Sequence, residues 1–123
     1  MARTVLVADD EPSILLSIQF VLQKAGYAVR VARDGDEVLR AVEEGVPDLI
    51  ILDAMMPGRS GYDVCQLLRA SAHCRAVPVI MLTAKGRDID REKGLALGAT
   101  DYVTKPFSTR DLVEKVRGYL GPA

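Results

Sequence analysis

Asp9 and Asp10 stand side by side near the start of the chain, followed by Glu11; Asp53, Thr83 and Lys105 come singly further along. A carboxylate can serve as a metal ligand, a general base or a nucleophile. If Asp9, Asp10 and Asp53 meet, like charges crowd within several ångströms, which raises a pKa or requires a cation. A hard divalent ion held by a few carboxylates and several waters fits Mg2+. The cysteine and histidine clusters that suit zinc are absent from the sequence. A hydroxyl from Thr83 and an ammonium from Lys105 aimed at the same point would stabilise the oxygens of a transferring phosphoryl group. The set favours phosphoryl transfer to or through a carboxylate.

These residues need a scaffold that brings them together, and the chain between them alternates strands with helices. Val5 to Ala8 is an apolar run without alternation, which suits a strand buried on both faces. Pro12 fits a first helical turn, and Ile14, Leu15, Ile18, Val21, Leu22 and Ala25 recur at helical spacing up to Gly26. Tyr27 to Val31 reads as a second strand, and Asp34-Gly35-Asp36 opens a helix with Val38, Leu39 and Val42 that closes near Gly45. Asp48 to Leu52 is a third strand, and Ser60 caps a helix carrying Val64, Leu67 and Leu68. Val77 to Leu82 is a fourth strand with Pro78 near its start, followed by a mostly polar helix from Asp88 to Leu97 that ends at Gly98. Asp101 to Val103 is a short fifth strand, and Ser108 caps a last helix with Leu112, Val113, Val116 and Leu120.

Five strands, each followed by a helix, predict an α/β fold: a three-layer, doubly wound, mostly parallel sheet with right-handed crossovers. In such sheets ligands bind outside the carboxyl ends of the strands. Asp9, Asp10 and Glu11 follow strand one, Asp53 strand three, Thr83 strand four and Lys105 strand five. Each alone has an ordinary explanation, since Asp and Thr often cap helices and a lone Lys is usually a solvated surface residue. Together they fall on one rim, provided strands one and three are neighbours. Periodicity does not fix the strand order.

At 123 residues the chain predicts one domain over 1–123, with a folded surface of roughly 6,500 Å² and a self-sufficient core. Hydrophobic residues at 49% exclude a disordered chain, and a net charge of −1 removes the basic footprint of a nucleic-acid binder. Runs such as Leu49 to Leu52 are far short of a membrane span. The acids at Asp9 and Asp10 interrupt any signal-peptide core, and Cys65 and Cys74 are too few for a disulfide framework. A cytoplasmic protein with reduced thiols is expected.

The ordered motifs resemble the receiver domain of bacterial two-component response regulators, of the chemotaxis-regulator kind. The resemblance rests on Asp9-Asp10-Glu11-Pro12, Asp53-Ala54-Met55-Met56-Pro57 with Gly61, Thr83-Ala84 after Val79-Ile80-Met81-Leu82, and Tyr102-Val103-Thr104-Lys105-Pro106-Phe107. It covers essentially the whole chain. It implies the flavodoxin-like strand order 2-1-3-4-5. It also implies that Asp53 accepts a phosphoryl group from a phosphohistidine on a sensor histidine kinase or phosphotransfer protein. Asp10, Asp53 and the Met55 backbone carbonyl would hold Mg2+, with Asp9 nearby or acting through water. Lys105 would pair with Asp53 and then with a phosphoryl oxygen, and Thr83 would bond another. Tyr102 would turn inward as Thr83 moves, altering the face made by the 88–97 helix, the fifth strand and the last helix. That face would bind a downstream effector or output domain, or form a phosphorylation-dependent homodimer. A cis Lys105–Pro106 bond is implied, as is an influence of Met55 and Lys85 on phosphoryl lifetime. No separate substrate is turned over, and neither nucleic acid nor membrane is an expected direct partner. A free-standing receiver and a receiver within a longer protein both remain open.

Two other classes compete. A Mg2+-dependent phosphohydrolase with an aspartyl-phosphate intermediate typically carries a second acid two residues after its nucleophile; here that position is Met55. A flavin-binding module would need a phosphate loop after strand one, where Asp9 and Asp10 instead repel an anion. His73 reads as a surface residue, Cys65 as a packed one. The mixed charges of 85–93 read as a solvated face.

Overall fold

A computed structural model describes residues 2–84, 92–93 and 95–122. The strands β1 (Thr4–Ala8), β2 (Ala28–Ala32), β3 (Leu49–Asp53), β4 (Val79–Ala84) and β5 (Asp101–Lys105) form a parallel sheet in the order β2-β1-β3-β4-β5. Among the described residues four helices accompany it: α1 (Pro12–Lys24), α2 (Gly35–Glu44), α3 (Gly61–Ala70) and α4 (Thr109–Leu120). The helix expected over 88–97 falls largely outside the described residues, although 92–93 and 95–96 are helical. The order agrees with the receiver resemblance, and β1 and β3 are neighbours as the shared rim requires.

The central strands are buried on both faces, which explains their unbroken apolar runs. Leu6, Ile50, Leu52 and Met81 pack toward α2 and α3 through Val38, Val64 and Leu68. Val7, Ile51, Ile80 and Leu82 face the other layer, against Ile18 and Leu22 of α1 and Leu112 and Val116 of α4. The folded surface of 6633 Å² agrees with the size scaling.

Four strands, β2 to β5, end later than their sequence patterns suggest. Ladder pairing continues through Asp53, opposite Leu82, and through Lys105, opposite Ala84, so Asp53, Thr83 and Lys105 lie within strands rather than after them. β2 starts one residue late because the Tyr27 N–H bonds back to Leu22 of α1. The Tyr27 hydroxyl donates to the Gly121 carbonyl at 2.7 Å. β4 starts at Val79; Pro78 has no N–H for the ladder, and only its carbonyl takes part, accepting from Ile50.

Asp34, Ser60 and Ser108 cap their helices by accepting from the N–H groups of Glu37, Asp63 and Asp111. At the sheet's far end Arg69 of α3 donates to the carbonyls of Gly98 at 2.7 Å, Cys74 at 3.0 Å and Val77 at 2.7 Å. This ties the starts of β4 and β5 to α3. Cys65 and Cys74 are free, buried thiols.

Candidate functional site

The rim at the carboxyl ends of β1, β3, β4 and β5 gathers the predicted residues. Ala8 pairs with Leu52, so Asp9 and Asp53, the next residues along, emerge side by side. Asp9, Asp10 and Asp53 each present a carboxylate oxygen, and these atoms lie within 4.8 Å of one another. Asp9 is fully buried, Asp53 is 4% exposed and Asp10 faces solvent. The Lys105 ammonium reaches in from β5, 3.0 Å from Asp9 Oδ2 and 3.4 Å from Asp53 Oδ1. Its nearer partner is therefore Asp9, a contact the sequence reading did not contain. Lys105 is followed by a cis peptide bond to Pro106.

Local hydrogen bonds fix the carboxylates. Asp9 Oδ1 accepts the Glu11 N–H at 2.9 Å, which caps the entry to α1, where Glu11 offers no side-chain cap of its own. Asp53 Oδ1 accepts the Met55 N–H at 3.2 Å, an Asx-type turn. Among the described residues Asp9 Oδ2 has no aligned hydrogen-bond donor, and the ion pair with the Lys105 ammonium is what it meets. A buried acceptor in that condition is costly unless another positive group completes it. Three hard oxygens converging on one point, one of them exposed to water, fit the ligand set of Mg2+, which keeps several waters.

The electrostatics agree. Burial first and the Asp9 charge second push the Asp53 carboxyl up from 3.8 to about 6, against the lowering effects of Lys105 and the Met55 N–H. Burial alone would lower Lys105, but contact with Asp9 and the Asp53 charge outweigh it and the ammonium is held above its ordinary value. Lys105 therefore stays charged, and Asp53 is an incompletely neutralised acid.

Thr83 is 3% exposed at the end of β4. Tyr102 is half-buried on β5 and packs against the core layer shared with α2 and α3. Met55 is 63% exposed, at the mouth of the site. Lys85 lies outside the described residues. Gly61 has a role that its motif position alone did not explain: a Cβ there would lie 2.1 Å from the Asp53 carbonyl oxygen. The start of α3 thus packs directly on the backbone of the phosphoacceptor candidate, and the Gly61 N–H donates to the Ala54 carbonyl at 2.9 Å. A glycine directly after a Ser N-cap was the available signal.

An acidic pocket at the switch edge of a doubly wound sheet defines the class of fold and site. The response regulator receiver domain model matches residues 5–117. A candidate response regulator from Chloroflexus aurantiacus is 36% identical, with 98% of each chain covered and a TM-score of 0.94. The chemotaxis protein CheY4 of Vibrio cholerae is 32% identical over 98% of this chain and 100% of that one, with a TM-score of 0.92. The receiver domain of sensor histidine kinase PA1611 from Pseudomonas aeruginosa, solved with a magnesium ion in its active site cleft, is 32% identical. That match covers 98% of this chain and 99% of that one, with a TM-score of 0.90. The chain belongs to the response regulator receiver domains, phosphorylation-dependent signalling modules of two-component systems.

Proposed function

We propose that this domain, spanning 1–123, accepts a phosphoryl group on Asp53 from a phosphohistidine of a sensor histidine kinase or phosphotransfer protein. The observation that carries this reading is the Asp53 carboxylate held beside Asp9, Asp10 and the Lys105 ammonium at one rim. An Asp53 oxygen forms the bond to phosphorus while the phosphorus–nitrogen bond breaks, its electron pair staying on the donor imidazole. Lys105 neutralises a phosphoryl oxygen, and Thr83 donates to another. Asp10, Asp53 and the Met55 carbonyl would hold Mg2+, with Asp9 close by, and the ion would supply further positive charge to the transferring phosphoryl group. Water attack on the same phosphorus resets the protein, so chemistry serves switching and no separate substrate is turned over.

The switch is a local charge change with a packing readout. Phosphorylation puts about −1.5 to −2 charge and three acceptor oxygens where the single charge of the Asp53 carboxylate stood. Thr83 moves toward them, Tyr102 follows, and the face around β5 and α4 changes shape. That face binds a downstream effector or output domain or a second copy, in the cytoplasm, without direct contact to nucleic acid. Reversing a 1:99 population needs about 5.5 kcal/mol of differential stabilisation. Incubation with acetyl phosphate and Mg2+ followed by intact mass tests the core of this: one phosphoryl mass is added and is lost in Asp53→Asn. An unmodified parent, or modification that survives Asp53→Asn, overturns it.

A further inference from the structure

Two polar contacts of unequal strength tie Lys93 and Gly98 to α3. The firm one is at the far end of the sheet, where Arg69 donates to the Gly98 carbonyl at 2.7 Å. Gly98 holds a φ of +111°, and a Cβ there would meet Arg69 Cγ at 2.5 Å, so glycine serves both the turn and the close approach. Ala99, the next residue, is buried in the core layer. The weak contact lies toward the site. Lys93 is exposed, and its carbonyl accepts from the Leu97 N–H at 3.0 Å. Its ammonium stands 4.7 Å from the centroid of the Tyr62 ring, inside the roughly 6 Å over which a cation is drawn to an aromatic face. An ammonium on a flexible stem leaves a ring far more readily than a guanidinium leaves three backbone carbonyls.

Tyr62 is placed to feel a change at Asp53. It is buried in the first turn of α3, directly after Gly61. Gly61 lies against the Asp53 carbonyl without room for a Cβ, and its N–H is bonded to the Ala54 carbonyl. A shift of the Asp53–Ala54 backbone therefore carries Gly61 with it, and so displaces the ring beneath Lys93.

We propose that the Lys93–Tyr62 contact is a latch that holds the residues before Gly98 against α3 while Asp53 is unmodified, with Gly98 as the hinge. The proposal rests on the reading of Asp53 as phosphoacceptor. Its coupling runs through the first turn of α3 and is separate from any movement of Thr83 and Tyr102. The contact belongs to the unmodified protein, so releasing it favours the modified one. The coupling is reciprocal: whatever lifts Lys93 from the ring also favours modification of Asp53. An exposed cation–ring contact present in only one of two states shifts their ratio about threefold.

The test titrates the whole domain with beryllofluoride in Mg2+, a reversible tetrahedral mimic of a phosphoryl group on a carboxylate, followed by backbone amide shifts. Lys93→Met keeps the stem and removes the charge; its half-saturating concentration is expected to fall about threefold. Lys93→Arg restores a cation over the ring and returns the parent value. A contact that merely stabilised the fold in both states would leave half-saturation alone. A second readout needs no variant: the ring current of Tyr62 displaces the Lys93 ε-methylene resonance upfield, and saturation with beryllofluoride should return it toward that of a solvated lysine. Unchanged half-saturation in Lys93→Met, failure of Lys93→Arg to restore it, or an upfield displacement that persists at saturation overturns this proposal alone. A parent that neither binds beryllofluoride nor gains mass from acetyl phosphate overturns the Asp53 reading and this proposal with it.

Discussion

Asp53→Asn removes a charge that the folded protein holds at a cost. The Asp53 carboxyl rises from 3.8 to about 6, burial being the main cause and the Asp9 charge the second. A shift of about two units corresponds to about 3 kcal/mol. For an acid with a raised folded pKa, the folded state holds more protons than the unfolded state between about pH 4 and pH 6. Parent stability therefore falls as pH rises through that window and stays lower above it. Asn resembles the protonated acid in shape and has no charge to bury. Without a divalent ion, Asp53→Asn should be more stable than the parent by about 2–3 kcal/mol near neutral pH, and the difference should close as pH falls to about 4. Mg2+ should act in the opposite sense, since an ion bound only by the folded parent adds about 1.4 kcal/mol at tenfold excess over its dissociation constant. Urea unfolding followed by circular dichroism, in chelator and in Mg2+, measures both effects. A variant no more stable than the parent in chelator near neutral pH, or a difference that ignores pH between about 4 and 7, would refute the reasoning.

Lys105→Met leaves buried Asp9 and Asp53 without their cation: metal-free stability should fall by about 3 kcal/mol, Mg2+ should recover part of it, and acetyl phosphate modification should slow by about 100-fold. Gly61→Ala drives a Cβ to 2.1 Å from the Asp53 carbonyl oxygen and 2.9 Å from Ala54 Cα, backbone that cannot yield cheaply. Unfolding midpoints should show a loss of about 3 kcal/mol, with phosphorylation reduced even where the variant is fully folded. Arg69→Met frees the carbonyls at the far end of the sheet and should cost about 2–3 kcal/mol in denaturant titration, with Asp53 phosphorylation preserved in the folded fraction. Met55→Ala opens the mouth of the site and should speed aspartyl-phosphate hydrolysis by about twofold or more, with Mg2+ affinity by fluorescence or calorimetry unchanged.

The fold was legible because the physics that orders it is local. Apolar runs such as Leu49 to Leu52 announce strands covered on both faces, and Asp34, Ser60 and Ser108 announce helix starts through single side-chain bonds. Strand ends were less legible. Asp53 and Lys105 look like loop residues by polarity, yet both complete the parallel ladder, because pairing depends on the neighbouring strand and not on the residue's own side chain. The membership of the site was readable as polar residues at successive strand ends. Its internal pairing was not: that Lys105 lies nearer Asp9 than Asp53 depends on side-chain reach across β4 and β3, from β5 to β1, which no spacing along the chain encodes.

The charge count at the rim explains why one arrangement can serve as resting state, metal site and phosphoacceptor. Three carboxylates meet one ammonium, leaving two uncompensated negative charges, the complement of a single divalent cation. Burial first and the Asp9 charge second raise the Asp53 pKa in spite of the lowering effect of Lys105. A cation of that charge brings the cluster near neutrality, and phosphorylation then adds a further charge or slightly less, because an aspartyl phosphate carries about two where the carboxylate carried one. The surplus falls on a group held among buried neighbours, where donors count for more than they do in water. Among the described residues of this rim, the side chains able to answer it are Lys105, already engaged with Asp9, and Thr83, buried at the end of β4. On the proposed reading, recruiting either one would pull on β4 or β5, so the charge imbalance around Asp53 would also make its modification structurally consequential.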